Sequence, residues 1–266
     1  MAEGIFDSFV MVDWSARATP SPRAPSADAI WWALARREGA QIEVAAPCYA
    51  RTRAEALARL GDLLAGERAA GRRVLAGFDF PFGYPRGTAR CLTGEASGLA
   101  VWDWLDERIH DGADNANNRF DVAAELNAHF AGTGPLWGRP AALDLPGLPA
   151  RGRDREPDDH PPERRLVERR MRRTQPTWKL FTTGSVGSQM LLGLPTLCRL
   201  RRDPRLDTAR VWPFETGLAP PDDALVLAEI YPSLHSRRIA AERRADEVPD
   251  AAQVRVTAAA LAERDG

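Results

Sequence analysis

Apolar residues along this chain gather in short runs, and two of those runs end on an acid. Phe9-Val10-Met11-Val12 leads into Asp13, and Val74-Leu75-Ala76-Gly77-Phe78 leads into Asp79. Continuous apolar runs this short predict strands buried on both faces rather than helices. On that pattern 8–13 is a strand, 29–36 (with Trp31 and Trp32) a second, and 41–45 a third. Residues 17–26 are rich in Pro, Ser and Arg and predict a long, mobile hairpin connection. From Thr52 the period changes. Ala56, Leu57, Leu60, Leu63 and Leu64 recur at helical spacing, so Thr52 caps a helix to about residue 70, and 72–79 returns as a strand.

The middle of the chain is mostly helical, with helical spacing over 97–109 and 118–130. Residues 144–162 are rich in Pro, Gly, Asp and Arg without periodicity, which predicts an exposed insertion or flexible loop. A strongly charged stretch follows at 163–173. Thr183-Gly184-Ser185-Val186-Gly187-Ser188 then reads as a loop entering a helix to about residue 201. Strands are expected at 209–214 and 224–231, and a closing helix at 249–263. There is no internal repeat. The expected organisation is a single domain over 1–266, with a helical insertion at 97–205 that contains the flexible loop 144–162.

Composition narrows the function classes. With 44% hydrophobic and 27% charged residues in 266, the chain can bury one large core or two modest ones. No apolar run approaches the roughly 20 residues that span a bilayer, and the N-terminus has neither the basic nor the apolar region of a secretory leader. No membrane association is expected. Cys48, Cys91 and Cys198 are scattered and fit neither a disulfide framework nor a zinc site, so a cytoplasmic location is expected. The net charge of −1 disfavours a dedicated DNA-coating role. It leaves open nucleic acid bound by a local patch, or a small phosphorylated substrate.

The acids carry the candidate chemistry. Glu229 lies inside the late strand pattern, and Asp250 opens the closing helix. A carboxylate at the end of a buried strand is costly unless something pairs with it. If the strand of Asp13 lies beside that of Asp79, the two carboxylates come within a few ångströms. Phosphodiester hydrolysis by two divalent ions about 3.5–4 Å apart uses such an arrangement. Mg2+ (or Mn2+) suits a few carboxylates with retained waters. Asp13, Asp79, Glu229 and Asp250 are therefore the candidate catalytic and metal-binding residues. The plainer alternatives are acids paired with arginine, a partnered buried Glu229, and Asp250 as a helix cap.

On the substrate side, Ser15 follows the first acid beside Trp14 and is a candidate pocket residue. Arg90 is placed to clamp a phosphate or to make a surface salt bridge. Lys179 and Ser185 flank or enter a small-residue helix start suited to anions, although it lacks the Lys-Ser/Thr ending of a P-loop. Close helix packing is the alternative there. The arginines between Arg151 and Arg173 alternate with acids and read as a solvated charged segment. No nucleophile elbow or zinc-protease helix is present.

Val12-Asp13-Trp14-Ser15, Phe78-Asp79-Phe80-Pro81-Phe82-Gly83, Glu229-Ile230-Tyr231-Pro232 and Asp250-Ala251-Ala252 together resemble a family of predicted RNase H-like nucleases. In that family the second motif runs Asp-hydrophobic-Pro-hydrophobic-Gly and the third Glu-hydrophobic-Tyr/His-Pro. The resemblance implies an α/β fold with an RNase H-like mixed central sheet, strand order 3-2-1-4-5, flanked by helices. It also implies a metal-dependent nuclease whose acidic cluster is Asp13, Asp79, Glu229 and Asp250. The chain departs from the family in having Trp14-Ser15-Ala16 where a Gly-rich turn is common. The alternatives are a small-molecule phosphotransferase or nucleotide-handling enzyme on a related fold, and a non-catalytic binding module.

Overall fold

The apolar runs of the sequence form a seven-stranded mixed sheet in the computed structural model, which describes residues 4–39, 41–155, 160–171 and 174–265. β1 (Ser8–Asp13) runs antiparallel to β2 (Ile30–Glu38), with Asp13 opposite Trp31. The other edge of β2 carries β3 (Gln41–Val44) and then the short β4 (Cys48–Ala50). On its second side β1 is parallel to β5 (Val74–Phe78), with Val12 beside Phe78. The last two strands, β6 (Ala209–Trp212) and β7 (Leu225–Glu229), are also parallel, and β7 lies between β5 and β6.

The sheet order is therefore β3-β2-β1-β5-β7-β6, not the expected 3-2-1-4-5. One short extra strand joins the edge of β2, and the final strand takes an inner place. The reason lies in the side chains. Leu225, Val226, Leu227 and Ala228 are all buried, so β7 needs cover on both faces, whereas β6 leaves Arg210 exposed and suits an edge.

In chain order the helices are α1 (Arg53–Ala69), α2 (Thr88–Thr93), α3 (Leu99–Arg108), α4 (Arg119–Asn127), α5 (Leu166–Arg170), α6 (Gly187–Arg202), α7 (Ser236–Glu242) and α8 (Pro249–Arg264). None of those described is long and apolar enough to cross a membrane. The chain divides into two compact units, one of Met1–Asp79, Gly112–Asn115 and Arg199–Gly266, the other of Phe80–Asp111 and Ala116–Cys198. The first contains the sheet.

Within the first unit, side-chain alternation along β1 sets the two faces. Phe9 and Met11 join Trp31 and Ala33 in a core closed by Ala251, Val254, Ala258 and Ala262, the small-residue stripe of α8. On the other face, Ser8 and Arg36 reach Glu67 of α1 at 2.6 and 2.5 Å. α1 is capped as expected, Thr52 accepting the Glu55 N–H at 3.2 Å. Asp13, in step with Phe9 and Met11, faces α8.

The connection over 17–26 differs from the mobile hairpin its composition predicts. Ser21 and Arg51 exchange hydrogen bonds at 2.9 and 2.8 Å. The nearly buried Arg53 donates to the carbonyls of Ser15, Arg17 and Asn115 at 3.2, 2.7 and 2.9 Å. Backbone carbonyls satisfied by a buried guanidinium hold this loop where composition alone suggests freedom.

The second unit starts directly after Asp79. Phe80 and Phe82 are buried in it, with Phe82 edge-on to Trp102 at 5.6 Å and Trp102 Nε1 donating to the Phe82 carbonyl at 2.8 Å. Gly193 of α6 makes room for the Phe80 ring, which any Cβ there would strike. Part of the predicted flexible loop 144–162 and of the charged stretch 163–173 lies outside the described residues.

A carboxylate pair at the strand ends

Parallel pairing of β1 and β5 brings their C-terminal ends side by side, so the residue after each run emerges next to the other. The Asp79 N–H extends the ladder by one bond to the Val12 carbonyl at 3.2 Å. Asp13 and Asp79 then hydrogen-bond each other through their carboxyl groups. Each has one further tether. The Trp14 N–H donates to Asp79 Oδ1 at 2.9 Å, and Gln253 Nε2 of α8 donates to Asp13 Oδ2 at 2.6 Å.

The other two acids stand at different removes. Asp250 lies in the first turn of α8, where Pro249 starts the helix and an acid is favoured by the exposed N–H groups. Its Oδ2 accepts the Asp28 N–H at 2.8 Å. Asp28 holds a left-handed backbone at φ 56°, and its carbonyl accepts from Ser15 Oγ at 2.8 Å. A chain of contacts thus links the loop after β1 to the start of α8. Glu229 ends β7, one strand beyond Asp79, and Tyr231 Oη donates to its Oε1 at 2.5 Å. The crossing is tight here, because any Cβ on Gly77 would collide with the Ile230 side chain.

Electrostatics single out the pair. Burial pushes the Asp13 carboxyl well above the ordinary carboxylate range, and the negative charges of Asp79 and Asp250 push it further. Asp79 is raised to about 7, again chiefly by burial, although the Trp14 N–H and the hydrogen bond with Asp13 pull the other way. Asp250 is raised by burial, partly offset by the Asp28 N–H. Two adjacent carboxyls cannot both ionise cheaply, so the pair gives up its second proton only at a raised pH.

The donor set is all oxygen, two facing carboxyls with a third close enough to raise the Asp13 carboxyl. Mg2+ is commonly held by one or two carboxylates, with waters and substrate phosphate completing its shell, so the residues present fit it. They do not form a finished cage. Among the described residues no three His, Cys, Asp or Glu side chains group tightly enough to hold a metal by themselves. Of the four predicted acids, the structure brings Asp13 and Asp79 into contact, holds Asp250 nearby, and sets Glu229 on the next strand.

The predicted substrate residues fare differently. Ser15 is buried and braces Asp28, so it acts on the site's frame. Trp14 is buried as well, and its contribution is a backbone N–H. Arg90, on α2, belongs to the second unit, as do Lys179, whose Nζ donates to the Thr183 carbonyl at 2.8 Å, and Ser185. Gln253 and Asp28 are the residues sequence reasoning missed as parts of the site, while Tyr231 enters there only as a member of the third motif. For Gln253 a signal existed, since it stands three residues after Asp250 and so shares its helix face.

Fold and site together define an α/β protein with two hydrogen-bonded carboxyl groups at the C-terminal ends of two adjacent parallel strands. Comparison of the chain with protein-family models, curated proteins and solved structures finds no match.

Proposed function

We propose that this protein is a metal-dependent phosphodiester hydrolase of the RNase H-like type, with Asp13 and Asp79 as the residues that hold Mg2+ or Mn2+. The observation that carries the reading is the contact between these two buried acids, which leaves one of them protonated near neutral pH. A buried pair of this kind is a burden on folding, and a cation with a phosphate ligand relieves it. The sheet supports the same reading. β1 and β5 are adjacent parallel strands that end side by side, and ligands in open α/β sheets gather outside the C-terminal ends of such strands.

The chain's own residues then have distinct tasks. Asp13 and Asp79 would hold the cation, once the proton they share is given up. Gln253 holds one oxygen of Asp13, and the Trp14 N–H one oxygen of Asp79, which fixes the orientation of both carboxylates. Asp250 and Glu229 supply further negative charge from α8 and β7. A divalent ion, when bound, supplies an activated water and stabilises the leaving oxygen. No histidine base is then required.

The test is Mg2+ and Mn2+ binding by calorimetry on wild type and D79N, with cleavage of RNA, DNA and a small phosphodiester assayed on the same samples. Binding and cleavage that are both lost in D79N support the reading. Absence of binding in wild type overturns it. Binding with cleavage of the small phosphodiester alone redirects it to a small phosphorylated substrate, which the near-neutral net charge favours.

A further inference from the structure

β6 ends the sheet, and its outer side has no strand neighbour among the described residues. A bare strand edge is a template for another chain, because its N–H and C=O groups stand ready to pair. Here one residue already occupies that template. The turn over 213–217 follows β6 and is closed by the Gly217 N–H on the Pro213 carbonyl at 3.0 Å. From this turn Glu215 meets Val211 twice. Its backbone N–H donates to the Val211 carbonyl at 2.9 Å, and its Oε2 accepts the Val211 N–H at 2.8 Å.

A residue opposite Val211 in an antiparallel neighbour would make the same two bonds, giving its own N–H and taking that of Val211. Glu215 therefore fills the place of a strand residue, its side-chain oxygen standing in for a carbonyl. The second oxygen, Oε1, accepts from Arg201 Nη2 at 2.6 Å, which holds the carboxylate in position from the last turn of α6. A strand arriving at this edge must break a charge-assisted bond to Val211 and cover a carboxylate and a guanidinium. Phe214, Gly217 and Leu218 are exposed, so little packing holds the turn besides these bonds.

We infer that Glu215 is an intramolecular lock on the β6 edge, and that what it excludes is a second copy of this chain. The edge is self-complementary. A twofold axis beside Val211 sets two copies antiparallel, with Val211 exchanging both bonds with its own equivalent. Arg210 of one copy then stands opposite Trp212 of the other, so no like charges meet. Pro213 has no N–H to extend the pairing, which keeps the contact short and the association weak. The lock involves none of the candidate acids, so the inference does not rest on the hydrolase reading.

The experiment is sedimentation velocity from about 5 to 500 µM on wild type, E215A and E215Q, with hydrogen exchange of the Val211 amide followed by NMR on the same samples. E215A is expected to add a dimerisation step that wild type lacks. Its Val211 amide should exchange about 10-fold or more faster than in wild type at the dilute end, and slow again as the dimer forms. E215Q keeps an amide oxygen for the Val211 N–H and should behave as wild type does. No added step in E215A, an added step without renewed protection of Val211, or association of E215Q equal to that of E215A overturns the inference. If E215A loses its fold by circular dichroism, R201A, which frees Glu215 from its holder, decides by the same two readouts.

Discussion

Replacing Asp79 with asparagine should stabilise the metal-free protein, and the gain should grow with pH. The new side chain keeps an oxygen for the Trp14 N–H, now at 2.9 Å from the Asp79 carboxylate, and offers an amide to Asp13. What the substitution removes is an acid the fold resists ionising. Lifting a carboxyl from 3.8 to about 7 is worth about 4 kcal/mol. Asp79 keeps some solvent contact, and an amide accepts a weaker hydrogen bond than a carboxylate, so about 2 kcal/mol at pH 8 is the expected net gain. The sign follows from proton counting. Between about pH 4 and pH 7 the folded chain holds a proton that the unfolded chain has released, so wild-type stability falls as pH rises through that window. Near pH 5 the native pair is protonated, and the advantage of D79N should shrink to about 1 kcal/mol or less. His235, whose proton affinity is lowered by burial and by Arg264 and Arg238, acts with the opposite sign, but it is common to both proteins and cancels in the difference. Urea denaturation of both proteins in EDTA at pH 5 and pH 8 measures the effect. Millimolar Mg2+ should then restore wild type and leave D79N unchanged. A D79N protein less stable than wild type at pH 8, or a difference that does not change with pH, would contradict this account of the pair.

Q253L removes the 2.6 Å hydrogen bond that orients Asp13, and calorimetry should find Mg2+ affinity weakened about 10–100-fold with the fold retained. G77A drives a methyl group into Ile230 and should cost about 1–3 kcal/mol in urea denaturation. I230A should absorb that cost, so the double variant is no less stable than I230A alone. E67A leaves Arg36, Arg72 and Ser8 around a site that Glu67 now fills, and should destabilise by about 3 kcal/mol. Burial works against the Glu67 charge, but hydrogen bonds from Arg36 and Ser8 outweigh it and hold its carboxyl below the usual range. This contribution is therefore present above about pH 4.5 and fades on acidification, which a denaturation series in pH checks.

Local pattern suffices to locate six of the seven strands and the acids at their ends, missing only the three-residue β4. Phe9 to Val12 and Val74 to Phe78 are apolar without interruption, and a strand buried on both faces has few other ways to hide such a run. Period alone likewise identifies α1, from Leu60 and Leu64, and α8, from Val254 and Ala258. Which elements become neighbours is settled by packing across the whole unit. No local pattern says that β7 inserts between β5 and β6, because that choice follows from which strand needs cover on both faces. The connection at 17–26 reads as mobile in the sequence because its anchors, Arg51, Arg53 and Asn115, are distant along the chain. Asp28 carries no local mark for the same reason, and Gln253 carries only its spacing from Asp250. An ordinary polar residue becomes part of a site only when packing turns its N–H toward a buried carboxylate, as α8 does for Asp13 and the loop before β2 does for Asp250.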